Sequence, residues 1–299
     1  MSPTRKEDEV FDGVLTALVT PFRNGAVDEA ALADLVEQQI AAGIDGLVPC
    51  GSTGESATLS HPEHRRVVEV VVAAARGRAP VIAGTGSNST REAIELTLHA
   101  KEAGAEAALL ISPYYNKPTQ TGIYEHYARI AEETAMPLIL YNIPGRTASN
   151  IAPETVARLA ELDQIVGIKE ASGNLEQVAR VIARCPEDFS VLSGDDALTL
   201  PMLALGGRGV ISTTSNVAPS EMAGLVRAFR TGDLSRAREI HYRLLPLFEV
   251  LFCETNPIPV KAALALRGAI ADELRLPLTP LGETQRPRLQ AVLKELGLL

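Results

Sequence analysis

The chain is 299 residues long, 46% hydrophobic and 22% charged, so it can bury a large core without disulfide staples. A formal net charge of -9 argues against nucleic acid as a partner, because a phosphate backbone calls for a basic face. Three cysteines, Cys50, Cys185 and Cys253, show no Cys-x-x-Cys spacing, which argues against a disulfide framework or a zinc site.

In chain order, the polar opening MSPTRKEDEVFDG lacks an apolar h-region, so no signal peptide is expected. No apolar run nears the ~18 residues of a membrane helix, and a reducing, cytoplasmic setting is the expectation. One unit then repeats. Strand-like runs occur at 13–20, 46–50, 80–84, 107–112, 137–142, 165–170, 189–194 and 209–213. Between them lie helical patterns such as DEAALADLVEQQIAAG, HPEHRRVVEVVVAAARG, TREAIELTLHAKEAG and TGIYEHYARIAEETA. Several open on a capping residue and close on glycine, as Asp28 does with Gly43 and Thr90 with Gly104. Beyond about residue 219 the strand signals stop, and helices are expected at 219–231, 234–252, 258–270 and 284–297.

Strands alternating with helices imply βαβ units and a parallel sheet. Eight such units imply a (β/α)8 TIM barrel, of class α/β. The expected organisation is a catalytic barrel over 1–232 and a small C-terminal helical region over 233–299. An open doubly wound sheet is the alternative, but Gly84-Thr-Gly86-Ser-Asn-Ser does not complete the G-x-G-x-x-G turn of a dinucleotide site.

Active sites of such barrels lie at the C-terminal ends of the strands. The unusual polar and aromatic residues gather there: Gly51-Ser-Thr-Gly-Glu-Ser56, Pro113-Tyr-Tyr-Asn116, Tyr141-Asn142 with Arg146, Lys169-Glu170, Ser193-Gly-Asp-Asp196 and Ser212-Thr-Thr-Ser-Asn216. Of six lysines, only Lys169 closes a strand-like run. Burial disfavours the ammonium, and a neutral amine is a nucleophile that forms a Schiff base with a carbonyl. The competing role is a structural ion pair. Lys261, inside a helical stretch of the tail, is expected to be structural.

Schiff-base chemistry also needs proton transfer. Tyr141, one strand from Lys169, can supply it, with Tyr115 and Thr53 as relay members; each tyrosine could instead simply pack. The glycine-rich Gly51–Glu55 turn offers N–H groups to an anion, a carboxylate as well as a phosphate. Asp195-Asp196 would repel phosphate, and Arg146 could fork onto a second carboxylate or stay a surface arginine. His61-Pro-Glu-His64 and Asp195-Asp196 lack the spacing of a metal motif, so no metal is expected; adjacent aspartates on one loop usually cap a helix.

The runs GSTGES, PVIAGTGSNST, SPYYNKPTQ, YNIPGRT, GIKEASGN, LSGDDA, GGRGVIST and ETNPIPVKAAL resemble the pyruvate-dependent class I aldolase (N-acetylneuraminate lyase) superfamily, and within it the dihydrodipicolinate synthase branch. The resemblance extends from about Phe11 to Leu299. It implies condensation of pyruvate with L-aspartate 4-semialdehyde on the diaminopimelate route to lysine, without a cofactor. It makes Lys169 the Schiff-base lysine and Tyr141 the general acid/base, with Thr53 and Tyr115 completing the relay. The counterpart of Tyr115 reaches in from a neighbouring subunit, so a homo-oligomer is implied, usually a tetramer built from two dimers. Ser52 and Thr53 would bind the pyruvate carboxylate, Gly194 and Ile211 line the pocket, and Arg146 hold the semialdehyde carboxylate.

Where Ser52 stands many synthases carry threonine; the hydroxyl is kept. The sialic acid lyases of the superfamily lack an arginine at the Arg146 position. The resemblance further implies a lysine feedback site at Ser56, Ala57, His61, His64, Asn88, Glu92 and Tyr114. The alternatives are a lyase cleaving a sugar acid or hydroxy-oxo acid to pyruvate, a metal-dependent aldolase, and a catalytically silent lysine-binding barrel.

Overall fold

Eight apolar runs become strands because each is covered on both faces. They are β1 (Gly13–Ala17), β2 (Gly46–Val48), β3 (Ile82–Gly84), β4 (Ala107–Ile111), β5 (Leu138–Asn142), β6 (Ile165–Glu170), β7 (Ser190–Ser193) and β8 (Gly209–Ser212). Every residue in them is buried except Ile111, which is half-buried, as a parallel sheet clad in helices requires. In this computed structural model, which describes residues 11–299, the eight form one sheet in the spatial order β2-β1-β8-β7-β6-β5-β4-β3. A parallel bridge between Leu47 and Val81 returns the pairing from β2 to the residue before β3. This is a (β/α)8 barrel with further helices at its C-terminal end. The stretch MSPTRKEDEV, expected to carry no signal peptide, lies outside the described residues.

The connecting helices are α1 (Glu29–Ala41), α2 (His61–Ala75), α3 (Thr90–Glu102), α4 (Gln120–Thr134), α5 (Pro153–Leu159), α6 (Leu175–Arg184), α7 (Thr199–Ala204) and α8 (Pro219–Arg230), followed by α9 (Leu234–Val250), α10 (Ile258–Leu266) and α11 (Arg286–Glu295). Among the described residues, no helix is long and apolar enough to cross a membrane.

By contact density the chain divides into two units, one holding Ile82–Ile211 and the other Val14–Val81 with Ser212–Leu299. In the first, β5 and β6 pair with Tyr141 opposite Lys169 and Asn142 opposite Glu170. Successive residues of a strand face opposite ways, so Asn142 and Glu170 turn from the face that carries Tyr141 and Lys169. There the buried Glu170 carboxylate accepts from Asn142 Nδ2 at 3.0 Å, Gln177 Nε2 at 3.2 Å and the Ser172 N–H at 2.7 Å. These bonds lock the end of β6 to β5 and α6.

In the second unit, Thr16 donates to Gln39 Oε1 at 2.7 Å and Gln39 Nε2 donates to the Ser215 carbonyl at 2.9 Å. The Thr16 hydroxyl and the Gln39 amide are thereby satisfied in series.

The observed strands stop short of several expected ends. β1 ends at Ala17 and β2 at Val48 because the chain leaves the ladder for the rim; Cys50, with φ of 56, makes the second departure. The cap of α3 is Ser89 rather than Thr90: the Ser89 hydroxyl accepts from the Glu92 N–H, while the Thr90 hydroxyl lies 2.9 Å from His126 Nδ1. Asp28 caps α1 as expected, and Gly43 and Gly104 follow their helices in the left-handed region. In the tail, α10 ends at Leu266, two residues before the left-handed Gly268, and α11 starts only at Arg286, ahead of Pro287. A two-residue hairpin, Phe22–Arg23 with Ala26–Val27, had not been expected. Its Asn24-Gly25 turn has positive φ at both residues, the favoured two-residue hairpin geometry.

Replacing Glu170 with alanine takes an acceptor from three donors; Asn142 Nδ2 and Gln177 Nε2 keep Asn150 Oδ1, and the Ser172 N–H loses the one it has. It should lower stability to urea unfolding by about 1–3 kcal/mol, and an unchanged midpoint would show that the carboxylate does not lock this corner.

Candidate functional site

The unit holding Ile82–Ile211 carries a lysine in an apolar wall. Lys169 and Tyr141 share a face and a register. Both are buried, at 6% and 5% exposure, and Lys169 Nζ lies 4.3 Å from the centroid of the Tyr141 ring. Gly194, just after β7, makes room for this arrangement. A Cβ there would stand 2.7 Å from Ala171 Cβ, 3.1 Å from Lys169 Cε and 3.2 Å from Lys169 Cγ. A side chain at 194 would collide with Ala171 and crowd the Lys169 stem.

Burial pulls the Lys169 pKa down to about 8; the Asp196 carboxylate opposes the fall, and the Arg146 guanidinium adds to it. About a tenth of the amine is therefore neutral at pH 7, far more than an ordinary lysine has. The two adjacent aspartates divide their roles. The Asp195 carboxylate accepts from the Ala197 N–H at 3.0 Å and caps the turn Asp196–Leu198, as expected for such a pair. Asp196 is buried and its charge reaches Lys169. Arg146 stands exposed on the one-turn helix Pro144–Thr147, and Ile211 is buried in β8.

In the same unit, Tyr114 and Tyr115 lie on the loop after β4. Tyr115 is 88% exposed and has φ of 70, a strained conformation for a non-glycine residue. Asn88 Nδ2 donates to the Tyr114 carbonyl at 3.1 Å, and Asn116 Nδ2 donates to the Asn88 carbonyl at 2.9 Å. Glu92 accepts from the Ser87 hydroxyl. Asn88 is thus joined to Tyr114 through the backbone, with Glu92 on the first turn of the adjoining α3.

The other unit carries the Gly51–Ser56 turn. Its N–H groups are partly spent: Gly54 and Ser56 donate to the Gly51 carbonyl at 3.0 and 3.4 Å, and Glu55 donates to the Ser52 carbonyl at 3.2 Å. The anion cradle expected over Gly51–Glu55 therefore narrows, because the turn uses the other donors to close itself. Among the described residues no carbonyl takes the N–H of Ser52 or Thr53. The Thr53 hydroxyl is buried, accepting from Asn256 Nδ2 at 3.0 Å and lying 3.5 Å from Thr213 Oγ1. Ser52 is half-buried. The chain continues through the single turn Ser56–Thr58, which carries Ala57, into α2, where His61 is exposed and His64 buried. Glu63, inside the HPEH stretch, completes a capping box with Ser60.

Two site residues escaped the reading of the sequence. Asn256 lies 203 residues from the threonine it holds, so no local spacing links them. Asp196 was noticed for its charge, but its bearing on Lys169 depends on β6 and β7 being neighbours.

With this geometry in hand, comparison with known proteins decides the family. The model of the dihydrodipicolinate synthetase family matches residues 10–296. The chain belongs to this family. Every residue of the site lies inside that match. Among its relatives in the dihydrodipicolinate synthetase family, the 4-hydroxy-tetrahydrodipicolinate synthase of Syntrophus aciditrophicus is 59% identical over 290 residues, covering 97% of this chain and 100% of that protein. Dihydrodipicolinate synthase from Aquifex aeolicus is 52% identical with a TM-score of 0.95, covering 96% of this chain and 99% of that one. The enzyme from Cyanidioschyzon merolae, solved with lysine bound, is 45% identical with a TM-score of 0.94, covering 97% and 99%.

Only the neutral amine reacts with electrophiles, so labelling of Lys169 by an amine-selective reagent should rise with pH through a midpoint at about 8 and level off roughly a pH unit or more above it. Removing the neighbouring cation (Arg146→Ala) should move that midpoint up, and removing the neighbouring carboxylate (Asp196→Asn) should move it down. Peptide mass spectrometry across a pH series reads both; shifts of the same sign would overturn this account of the electrostatics.

Proposed function

We propose that this chain condenses pyruvate with L-aspartate 4-semialdehyde, the 4-hydroxy-tetrahydrodipicolinate synthase reaction, through a Schiff base on Lys169. The observation that carries it is a buried amine with its pKa pulled to about 8, beside the Tyr141 phenol ring, in a chain 59% identical to a synthase of that name. The neutral amine adds to the ketone carbon, and a proton from Tyr141 lets water leave the carbinolamine as the iminium forms. A methyl proton then departs to give the enamine. Its carbon adds to the aldehyde carbon, and the new alkoxide is protonated. The semialdehyde amine displaces Lys169 as the ring closes. One water leaves per turnover, which makes the reaction that of a carbon–oxygen lyase, a hydro-lyase.

Ser52 and Thr53 take the pyruvate carboxylate through their uncommitted N–H groups, while Gly194 and Ile211 line the pocket and Arg146 forks onto the semialdehyde carboxylate. Thr53 and Tyr115 are the relay candidates. The Thr53 hydroxyl accepts from Asn256 and keeps its own proton to donate; the half-buried Ser52 offers a second hydroxyl in the same turn. Tyr115, exposed and strained in the single chain, serves the site of a second copy, so the active form is a homo-oligomer, a tetramer built from dimers. Strain of this kind persists where the surroundings dictate it, often at functional sites. Ser56, Ala57, His61, His64, Asn88, Glu92 and Tyr114 form the L-lysine feedback site; the relative from Cyanidioschyzon merolae binds lysine. The setting is cytoplasmic, as for a biosynthetic enzyme.

Borohydride with pyruvate should leave an adduct on Lys169, mapped by peptide mass spectrometry; an adduct elsewhere, or none, sinks the mechanism. Arg146→Ala should cut activity with the semialdehyde by about 10–100-fold without creating activity on N-acetylmannosamine. Millimolar L-lysine should lower turnover at saturating pyruvate, and flat kinetics would remove the feedback site.

A further inference from the structure

The second unit contains a buried ion pair for which the proposed chemistry has no use. Lys261, on α10, is fully buried, and its Nζ donates to Glu55 Oε1 at 2.6 Å and to the Thr20 carbonyl at 2.9 Å. The same nitrogen lies 4.2 Å from the centroid of the Phe22 ring. Glu55 Oε2 accepts from the Arg275 N–H at 3.1 Å. The Arg275 guanidinium reaches Glu63 at 2.5 and 2.8 Å and the Thr58 carbonyl at 3.0 Å, and this pairing holds Glu63 down at about 2.

A buried pair of this kind is poor evidence for stability, since desolvation offsets most of the attraction. Its place in the chain is more telling. Glu55 ends the Gly51–Glu55 turn in the left-handed region, with φ of 52 and ψ of 35. Cys50, which precedes that turn, also has positive φ, 56. Non-glycine residues keep such conformations only where the surroundings hold them. Gly54, between Thr53 and Glu55, is tied as well. Its carbonyl accepts from Thr20 Oγ1 at 2.7 Å, and a Cβ on it would stand 3.1 Å from both the Cys50 nitrogen and the Leu18 oxygen.

The tail therefore grips the turn on both sides of Gly54. Asn256 donates to Thr53 and Lys261 to Glu55, and both come from the run Asn256-Pro-Ile-Pro-Val-Lys261. We infer that Glu55, Lys261 and Asn256 are positioning residues: they hold the Ser52 and Thr53 N–H groups in the geometry that receives the carboxylate of the oxo acid. The inference rests on the proposed role of that turn in binding pyruvate. Glu55 and Lys261 touch no group of the proposed relay, whereas Asn256 also meets the Thr53 hydroxyl; the ion pair therefore acts on substrate capture, not on the amine.

The test is the charge-neutral double variant Glu55→Gln with Lys261→Met, which removes both charges and keeps side-chain volume. It should fold, as judged by circular dichroism, and its KM for pyruvate should rise about tenfold or more, since small misplacements of binding groups are costly. At saturating pyruvate, borohydride should still trap the adduct on Lys169 as in the unaltered chain. A folded double variant with unchanged KM overturns the inference, even if its melting temperature falls. Should the double variant not fold, Asn256→Ala, which alters no charge, must still raise the KM for pyruvate, whatever it does to turnover through the Thr53 hydroxyl; an unchanged KM there overturns the inference equally. Unaltered protein that yields no borohydride adduct with pyruvate would instead remove the Lys169 mechanism beneath it.

Discussion

A lysine amine in a wall of apolar strands cannot keep its charge cheaply, and the rest of the site follows from that constraint. Lys169 sits on β6 among residues that are buried throughout. Desolvation pulls its pKa to about 8, against the Asp196 charge and with the Arg146 charge. The groups around it either leave it space or fix its direction. Gly194 gives up a side chain so that the stem can pass. The pairing of β5 with β6 sets Tyr141 beside it. Glu170, facing the other way, ties the strand end to α6.

The two buried lysines show how environment assigns a role to one residue type. Burial lowers the pKa of Lys261 as well, but Glu55 at 2.6 Å and a carbonyl as second acceptor favour its ammonium, and an ammonium so paired is no nucleophile. Lys169 feels Asp196 as a charge in its surroundings, with an aromatic ring as its near neighbour. One cation is neutralised by contact and immobilised; the other is left labile. The first braces a strained turn, and the second is available for covalent chemistry.

Much of this was legible residue by residue. Lys169 stood out because a strand-like apolar run seldom closes on a lysine, and β6 spans 165–170 as the pattern indicated. Asp28 and Gly43 marked the ends of α1. The reading failed where two neighbouring residues could do the same local work. Ser89 and Thr90 can both cap a helix, and only the nearby His126 engages the second. It also missed the hairpin at Asn24-Gly25, whose strands are two residues long and carry no alternation. The anion cradle was read too wide, because a turn that closes on its own N–H groups cannot offer them to a ligand.

The sequence alone determined the repeat of eight strands with their helices, and which strand end carries the lysine. Those are properties of local hydrophobic period and of one residue placed against it. Tertiary structure alone decided that Asn256 and Lys261 hold Thr53 and Glu55 across 203 and 206 residues. It also decided that Asp196 and Arg146 pull the amine in opposite directions. Hydrogen bonds and charges act through distance in space, and distance along the chain does not encode it.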